Sequence, residues 1–119
     1  MSPHPWKMRI EDILESIRRI QRYTSGLTFG SFKADQKTID AVIRNLEIVG
    51  EAARHVPDEI TDRHNQLPWE EMRGMRNVLI HEYFGVSIGI LWHTITHNLP
   101  PLVEQLEGIL EEESRKNRT

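Results

Sequence analysis

Apolar residues recur at steps of three and four through most of the chain, a pattern typical of helices with one buried face. The pattern predicts a first helix over residues 6–24, which the turn residues of segment 26–31 end. A second helix is predicted from Ala34 or Asp35 to just before Pro57, because proline disfavours a helical conformation in the residue preceding it. Its buried face is expected to consist of Ile39, Val42, Ile43, Leu46, Val49, Gly50 and Ala53.

Two further helical segments are predicted in the second half of the chain. Residues 57–67 are rich in turn and polar residues and are expected to form at most one helical turn. Pro68 suits the first position of a third helix, which is predicted to run to about Phe84 and to end at Gly85. Ser87 is a candidate N-cap of a fourth helix.

The apolar phase of the fourth helix continues from Ile88 to Leu110, and Pro100-Pro101 predicts a kink or two helices stacked in register. No segment alternates as a strand does. The sequence therefore predicts one all-α domain over residues 1–119, an up-and-down bundle of four to five helices. Residues 110–119, which include the run Glu111–Glu113, are expected to be a charged, solvated and fraying end.

Composition narrows the class of protein. Hydrophobic residues make up 38% and charged residues 28% of the chain, which is typical of a globular domain. There is no cysteine, no apolar run long enough for a bilayer and no apolar signal-peptide core, so a cytoplasmic protein without membrane attachment is expected. The net charge of −3 makes non-specific capture of nucleic acid by the whole surface unfavourable, so any RNA-binding charge must be local or assembled by oligomerisation.

The segment 76–83 carries the densest chemistry, since Arg76, Asn77, His81 and Tyr83 interrupt an otherwise apolar helix. An arginine in an apolar stripe requires a carboxylate, a subunit interface or a ligand. A histidine titrates near neutral pH. Together these residues indicate a site for an anionic group such as a phosphate.

Helical geometry separates two of these residues, because five positions on an ideal helix turn His81 about 140° away from Arg76. A single copy therefore makes a poor site unless the helix loosens near its end. The other possibility is that a second copy completes the site, since a two-fold dimer axis near this helix would bring two arginines and two histidines into one cleft. The alternative is structural: Arg76 pairs with Glu47 or Glu51 of the second helix, and His81 and Tyr83 are ordinary half-buried residues. The pattern alone leaves both interpretations open.

Other polar and aromatic residues carry weaker signals. His93 and His97 have a spacing that can hold a metal, but they are expected on the solvated face of the fourth helix. His64 stands in a loop and carries no signal. The three tryptophans are expected to be core or interface anchors: Trp6, Trp69 and Trp92.

The stretch 67–86 (Leu-Pro-Trp-Glu-Glu-Met-Arg-Gly-Met-Arg-Asn-Val-Leu-Ile-His-Glu-Tyr-Phe-Gly-Val) resembles the signature of HepT-like proteins in the HEPN superfamily. The run 43–52 (Ile-Arg-Asn-Leu-Glu-Ile-Val-Gly-Glu-Ala) and the later Leu91-Trp92 and Leu99-Pro-Pro-Leu102 are similar to the same family. The resemblance therefore covers nearly the whole chain. It implies a HEPN-like helical homodimer.

The resemblance also implies a function: a metal-independent RNA endonuclease that is the toxin of a type II toxin–antitoxin system. Arg76 and His81 match the catalytic Arg-x4-6-His motif, which meets its copy at the dimer interface, and Asn77 matches the supporting polar position. Tyr83 matches the tyrosine that an MntA-like minimal nucleotidyltransferase antitoxin modifies with AMP. No cofactor is implied.

The residue types suit that chemistry. RNA supplies its own nucleophile, the 2′-OH, from which a neutral imidazole can remove the proton. Guanidinium groups can stabilise the negative charge that develops on the phosphorus centre. A second hypothesis stays open at this point, namely a non-catalytic helical subunit that binds nucleotides or a partner and assists a nucleotidyltransferase.

Overall fold

The computed structural model describes residues 5–81 and 87–116, and for residues 76–81 the description is of the backbone alone. Within this part the chain is helical and contains no strand, so the all-α prediction is confirmed. None of the described helices is long and apolar enough to cross a membrane. In chain order the elements are α1 (Pro5–Thr24), α2 (Phe29–Lys33), α3 (Gln36–Arg54), α4 (Asp58–Arg63), α5 (Trp69–His81), α6 (Ile88–His93), a π-helical turn (Thr94–Asn98) and α7 (Leu99–Lys116).

Helix α3 is the centre of the packing, since α1 and α5 both pack against it and α7 packs against α1. The predicted face of α3 is buried as expected, and the core also receives the isoleucine row of α1. Burying such rows supplies the main favourable term in the folding of a bundle. The fully buried isoleucines of α1 are Ile10, Ile13, Ile17 and Ile20.

A glycine turn follows α1, and a side-chain cap begins α3. After α1, Gly26 takes a positive φ of 78°, a conformation that costs a residue with a side chain about 1–2 kcal/mol. Asp35 caps α3, because its carboxylate accepts hydrogen bonds from the Thr38 hydroxyl at 2.7 Å and the Thr38 backbone N–H at 3.1 Å. These two bonds lower the pKa of Asp35. At the other end the helix stops at Arg54, ahead of Pro57 as predicted.

The segment between α1 and α3 contains a helix that the sequence pattern did not predict. Thr28 and Ser31 form a capping box, in which each side chain accepts from the other residue's backbone N–H, at 3.1 Å and 2.8 Å. The box starts α2, and Phe32 of that helix is fully buried. A five-residue helix is too short to show an apolar period, which is why the segment was predicted only as a break.

The connection before α5 is also more helical than expected, because α4 extends over six residues where at most one turn was predicted. The α5 helix begins at Trp69, and the carbonyl of Pro68 accepts from the Met72 N–H at 3.0 Å, so the proline stands one position earlier than predicted. The predicted end of this helix, at Phe84 and Gly85, lies outside the described residues.

The last helical stretch is interrupted, but not in the way that the prolines suggested. Ser87 caps α6 as predicted, since its hydroxyl accepts from the Ile90 N–H at 3.3 Å. The irregularity is a π-helical turn over Thr94–Asn98, and Pro100-Pro101 follow in the first turn of α7. Prolines are tolerated there because the first N–H groups of a helix have no intrahelical acceptor.

The exposed interior of α7 offers a test of the helical assignment. Gly108 is exposed, and a Cβ at this position would meet no atom within 4 Å. We expect Gly108→Ala to raise the free energy of unfolding by about 0.5–1 kcal/mol, because alanine loses less backbone entropy in a helix. Urea denaturation measures the change. The matched control is Gly26→Ala, which should destabilise because of its positive φ; a loss of stability in Gly108→Ala would contradict the helical environment.

Candidate active site

Helix α5, which carries the Arg-x4-His motif, is fixed to the bundle at its start. Trp69 and Met72 are buried, and the indole Nε1 of Trp69 donates to the backbone carbonyl of His64 at 2.9 Å. Trp69 is therefore a core anchor, as predicted. The indole bond ties the first turn of α5 to the end of α4 and fixes where the helix enters the bundle.

Arg73 makes a second connection, between α5 and the end of α3. Its Nε donates to the carbonyl of Ala53 at 3.3 Å and its Nη2 to the carbonyl of Val56 at 3.5 Å. Ala53 lies in the last turn of α3, where the carbonyls carry partial negative charge, and Val56 follows the helix directly. A guanidinium at this place is therefore favourable. Sequence reasoning missed this role, since nothing in the local pattern distinguishes Arg73 from a solvated arginine.

The motif itself occupies the last described turns of α5. The backbone is helical from Trp69 to His81, so Arg76, Asn77 and His81 stand on one continuous helix. Arg76 and His81 are separated by about 7.5 Å along its axis. The side chains of these three residues lie outside the described part of the structure, as does all of Tyr83. Their catalytic, supporting and modification roles remain predictions.

Glu47, one of the two carboxylates predicted to support Arg76 by pairing with it, lies in the groove between α1 and α3. Its Oε2 is 3.5 Å from Nη1 of Arg44, and 28% of its side chain is exposed. The groove has a volume of about 300 Å³ and is also lined by Arg9 and Asp12 of α1. Glu51, the alternative partner, is 3.2 Å from Nε2 of His55. Pairing of either carboxylate with Arg76 remains a prediction.

A buried cluster of charged and polar side chains joins the end of α4 to α7. The carboxylate of Glu113 accepts from Nε of Arg63 at 3.2 Å and Nη2 at 2.5 Å, and it lies 2.9 Å from Nε2 of His64. Side-chain exposure is 5% for Glu113 and 3% for His64, against 42% for Arg63. The expectation that Glu113 belongs to a solvated run is therefore wrong, and so is the view that His64 carries no signal.

Charge explains why a carboxylate can be buried at this place. The pKa of Glu113 is lowered to about 2, mainly by the hydrogen bonds from Arg63. Burial opposes this shift, and the hydrogen bond to His64 adds a smaller lowering. The same contact raises the pKa of Arg63. Because the His64 carbonyl also receives the Trp69 indole, the end of α7 supports the start of α5.

The histidine pair of the fourth helical segment is exposed, as predicted. The rings of His93 and His97 stack, with centroids 4.4 Å apart and an interplanar angle of 10°, and the Thr96 hydroxyl lies 2.8 Å from Nδ1 of His97. Two stacked parallel rings do not direct their nitrogens at one point between them. Among residues 5–75 and 87–116, no group of three potential ligands forms a metal site.

The remaining tryptophans also pack as expected. Trp6 is buried in the core, and Trp92 is half-buried with its ring centroid 5.1 Å from that of Phe32. This contact packs α6 against α2 and buries part of the Trp92 ring.

The described part of the chain is thus an all-helical domain, and one of its helices carries an Arg-x4-His segment. The sequence model of the family described as "Ribonuclease HepT-like" matches residues 13–109. The chain belongs to this HepT-like family of the HEPN superfamily.

Individual relatives agree with that assignment. The chain is 44% identical over 100 residues to a protein of Thermococcus cleftensis named "Probable ribonuclease HepT", with 84% of this chain and 91% of the relative covered. It is 39% identical over 112 residues to a protein of Caldanaerobacter subterraneus subsp. tengcongensis named "Putative RNase", with 94% and 97% covered. The comparison with solved structures finds no match.

Proposed function

We propose that this protein is an RNA endonuclease, the toxin of a type II toxin–antitoxin system, and that it acts as a homodimer. One observation carries the proposal: the HepT-like match includes α5, where Arg76 and His81 stand on one helix in the Arg-x4-His spacing. The chain matches nearly the whole length of relatives that are named as ribonucleases, which supports RNA as the substrate.

The proposed reaction uses the 2′-OH of RNA as the nucleophile. The neutral imidazole of His81 takes the 2′-OH proton, and O2′ forms a new bond to the adjacent phosphorus. The bond from phosphorus to O5′ then breaks, and the protonated imidazole of the second copy's His81 gives its proton to that oxygen. The products are a 2′,3′-cyclic phosphate and a 5′-hydroxyl. The guanidinium groups of Arg76 from both copies stabilise the charge on the phosphorane oxygens.

The geometry of α5 supports the proposed dimer. On an ideal helix Arg76 and His81 diverge by about 140°, so one copy cannot direct both at the same phosphate. A two-fold axis near the end of α5 supplies each site with groups from two chains, and such an interface uses the same surface on both copies.

The proposed antitoxin is a minimal nucleotidyltransferase of the MntA type, which transfers AMP from ATP to the hydroxyl of Tyr83 and releases pyrophosphate. Tyr83 stands two residues after His81. A bulky anionic AMP group at this position would obstruct the cleft and repel the phosphates of RNA.

Induced expression in a bacterial host tests the function. Wild-type protein should arrest growth and deplete cellular RNA, whereas Arg76→Ala and His81→Ala should do neither. The controls are Arg22→Ala and His97→Ala, which remove the same residue types at exposed positions away from the motif and should remain toxic. Loss of RNA with His81→Ala would overturn the catalytic assignment, and no arrest by wild type would favour the non-catalytic subunit.

A further inference from the structure

An open pocket of about 410 Å³ lies where the end of α3, the start of α4 and the middle of α5 meet. Its α5 wall precedes the Arg-x4-His motif on the same helix. The function described above assigns the pocket no role. Its lining residues are Arg54, Val56, Asp58, Arg73 and Gly74.

Two guanidinium groups give this pocket its character. Arg54, the last residue of α3, is exposed, and no carboxylate of residues 5–75 or 87–116 lies within 4.0 Å of its nitrogens. Arg73 directs two N–H groups at the carbonyls of Ala53 and Val56. A guanidinium has five N–H donors, and three of those on Arg73 have no acceptor among the described residues, so they remain for another acceptor. Among the described residues, Asp58 is the single carboxylate that lines the pocket.

We propose that this pocket binds a phosphate group of the RNA strand beside the phosphate that is cleaved. The proposal rests on the proposed ribonuclease function and adds a second contact to it. Both arginines would hold one phosphate through charge-assisted hydrogen bonds, which planar guanidinium groups make with paired oxygens.

The position of the pocket favours RNA over a free anion. Arg73 precedes Arg76 by three residues, about 4.5 Å along the axis of α5, so a strand bound at the motif passes close to the pocket. Gly74 leaves room for it, since a Cβ added there would meet nothing within 4 Å. The pocket also supplies the local positive charge that a chain of net charge −3 requires.

The capping of α3 by Arg73 does not explain the whole arrangement. Two carbonyl bonds account for Arg73, but they leave Arg54 beside it without an ion pair in the described residues, although like charges repel each other. A bound phosphate would relieve that repulsion. The Asp58 carboxylate repels an anion, so replacing it should strengthen binding where replacing an arginine weakens it.

Binding of a fluorescent single-stranded RNA 12-mer, measured by anisotropy over a range of salt concentrations, tests the proposal. All proteins carry His81→Ala so that the RNA stays intact. Adding Arg54→Gln should raise Kd about five- to tenfold at 0.15 M salt and reduce the slope of log K against log salt by about 0.7, the value for one lost phosphate contact. Asp58→Asn should lower Kd.

The matched control is Arg22→Gln, the same change at an exposed arginine of α1, which should leave both Kd and the salt slope unchanged. Equal Kd and slope for Arg54→Gln and its parent would overturn the phosphate site, and so would equal losses in Arg54→Gln and Arg22→Gln. Failure of the proposed function gives a different result, because wild type would then neither cleave this RNA nor bind it in a salt-dependent way.

Discussion

Replacing His81 by alanine is expected to lower the rate constant of RNA cleavage by about 10²- to 10⁴-fold, the usual contribution of a positioned general acid or base. If one imidazole removes a proton and its copy donates one, the variant loses both steps at once. The measurement is single-turnover cleavage of a labelled RNA by purified protein. Arg76→Ala should also slow the chemical step, because the charge on the phosphorane loses its stabilising cation.

The pH profile and the concentration dependence separate this mechanism from simple damage to the fold. Wild-type cleavage should follow a bell-shaped curve centred near neutral pH, since one histidine must be neutral and the other protonated. The rate per chain should fall on dilution as the dimer dissociates. His97→Ala, which removes an exposed histidine, is the control. A rate that rises steadily with pH, or one independent of protein concentration, would contradict a site shared by two copies.

Replacing Glu113 by glutamine is expected to lower the free energy of unfolding by about 2–3 kcal/mol at neutral pH. The carboxylate accepts charge-assisted hydrogen bonds from Arg63 and lies against buried His64, and a neutral amide cannot replace these interactions. Urea denaturation gives the value. Glu111→Gln is the matched control, because Glu111 is exposed and pairs only with Arg115 at 3.7 Å in the described residues; an equal loss in both variants would contradict the assignment.

The pH dependence of the same contact has a definite sign. Folding lowers the pKa of Glu113 from 4.5 to about 2, so the unfolded chain takes up a proton at higher pH than the folded chain does. The stabilisation is therefore present above about pH 4.5 and is lost as pH falls from about 4.5 towards 2. Wild type should lose more stability than Glu113→Gln over this window, and parallel curves would contradict the shift.

The sequence predicted the elements whose signals are local. The isoleucine row placed α1 within one residue, and the predicted start at Ala34 or Asp35 and stop before Pro57 bracketed α3. These features lie within one or two turns of the residues they control, so a linear pattern contains them. Ser87 is a further case, because an N-cap acts on the N–H groups that follow it directly.

The contact between His64 and Glu113 shows what a linear pattern does not contain. The two residues are separated by 49 positions, and each stands in a segment whose composition indicates exposure. Only the folded bundle brings them together, and the burial follows from how α4 meets α7. The short helix α2 was missed for another reason, since five residues are too few for a period.

The candidate site divides in the same way. The motif at Arg76 and His81 is readable as a spacing, because both residues stand on one helix. The supports of that helix are not readable, since Arg73 acts on carbonyls about 20 positions away and Trp69 acts on a carbonyl in the preceding connection. The pocket at Arg54 depends on the meeting of three helices and so required the structure.

The π-helical turn has a consequence for how the chain tolerates insertions and deletions. Leu91, Ile95 and Leu99 are buried at two successive steps of four residues, which on a regular α-helix would rotate the apolar row by about 80°. The wider π-helical turn over Thr94–Asn98 compensates for this rotation, so the leucines of α7 face the core. A one-residue deletion here would re-index α7 by about 100° and turn Glu113 away from His64. We therefore expect a change of length in this segment to disturb the packing of α7 more than a substitution at one of its exposed positions.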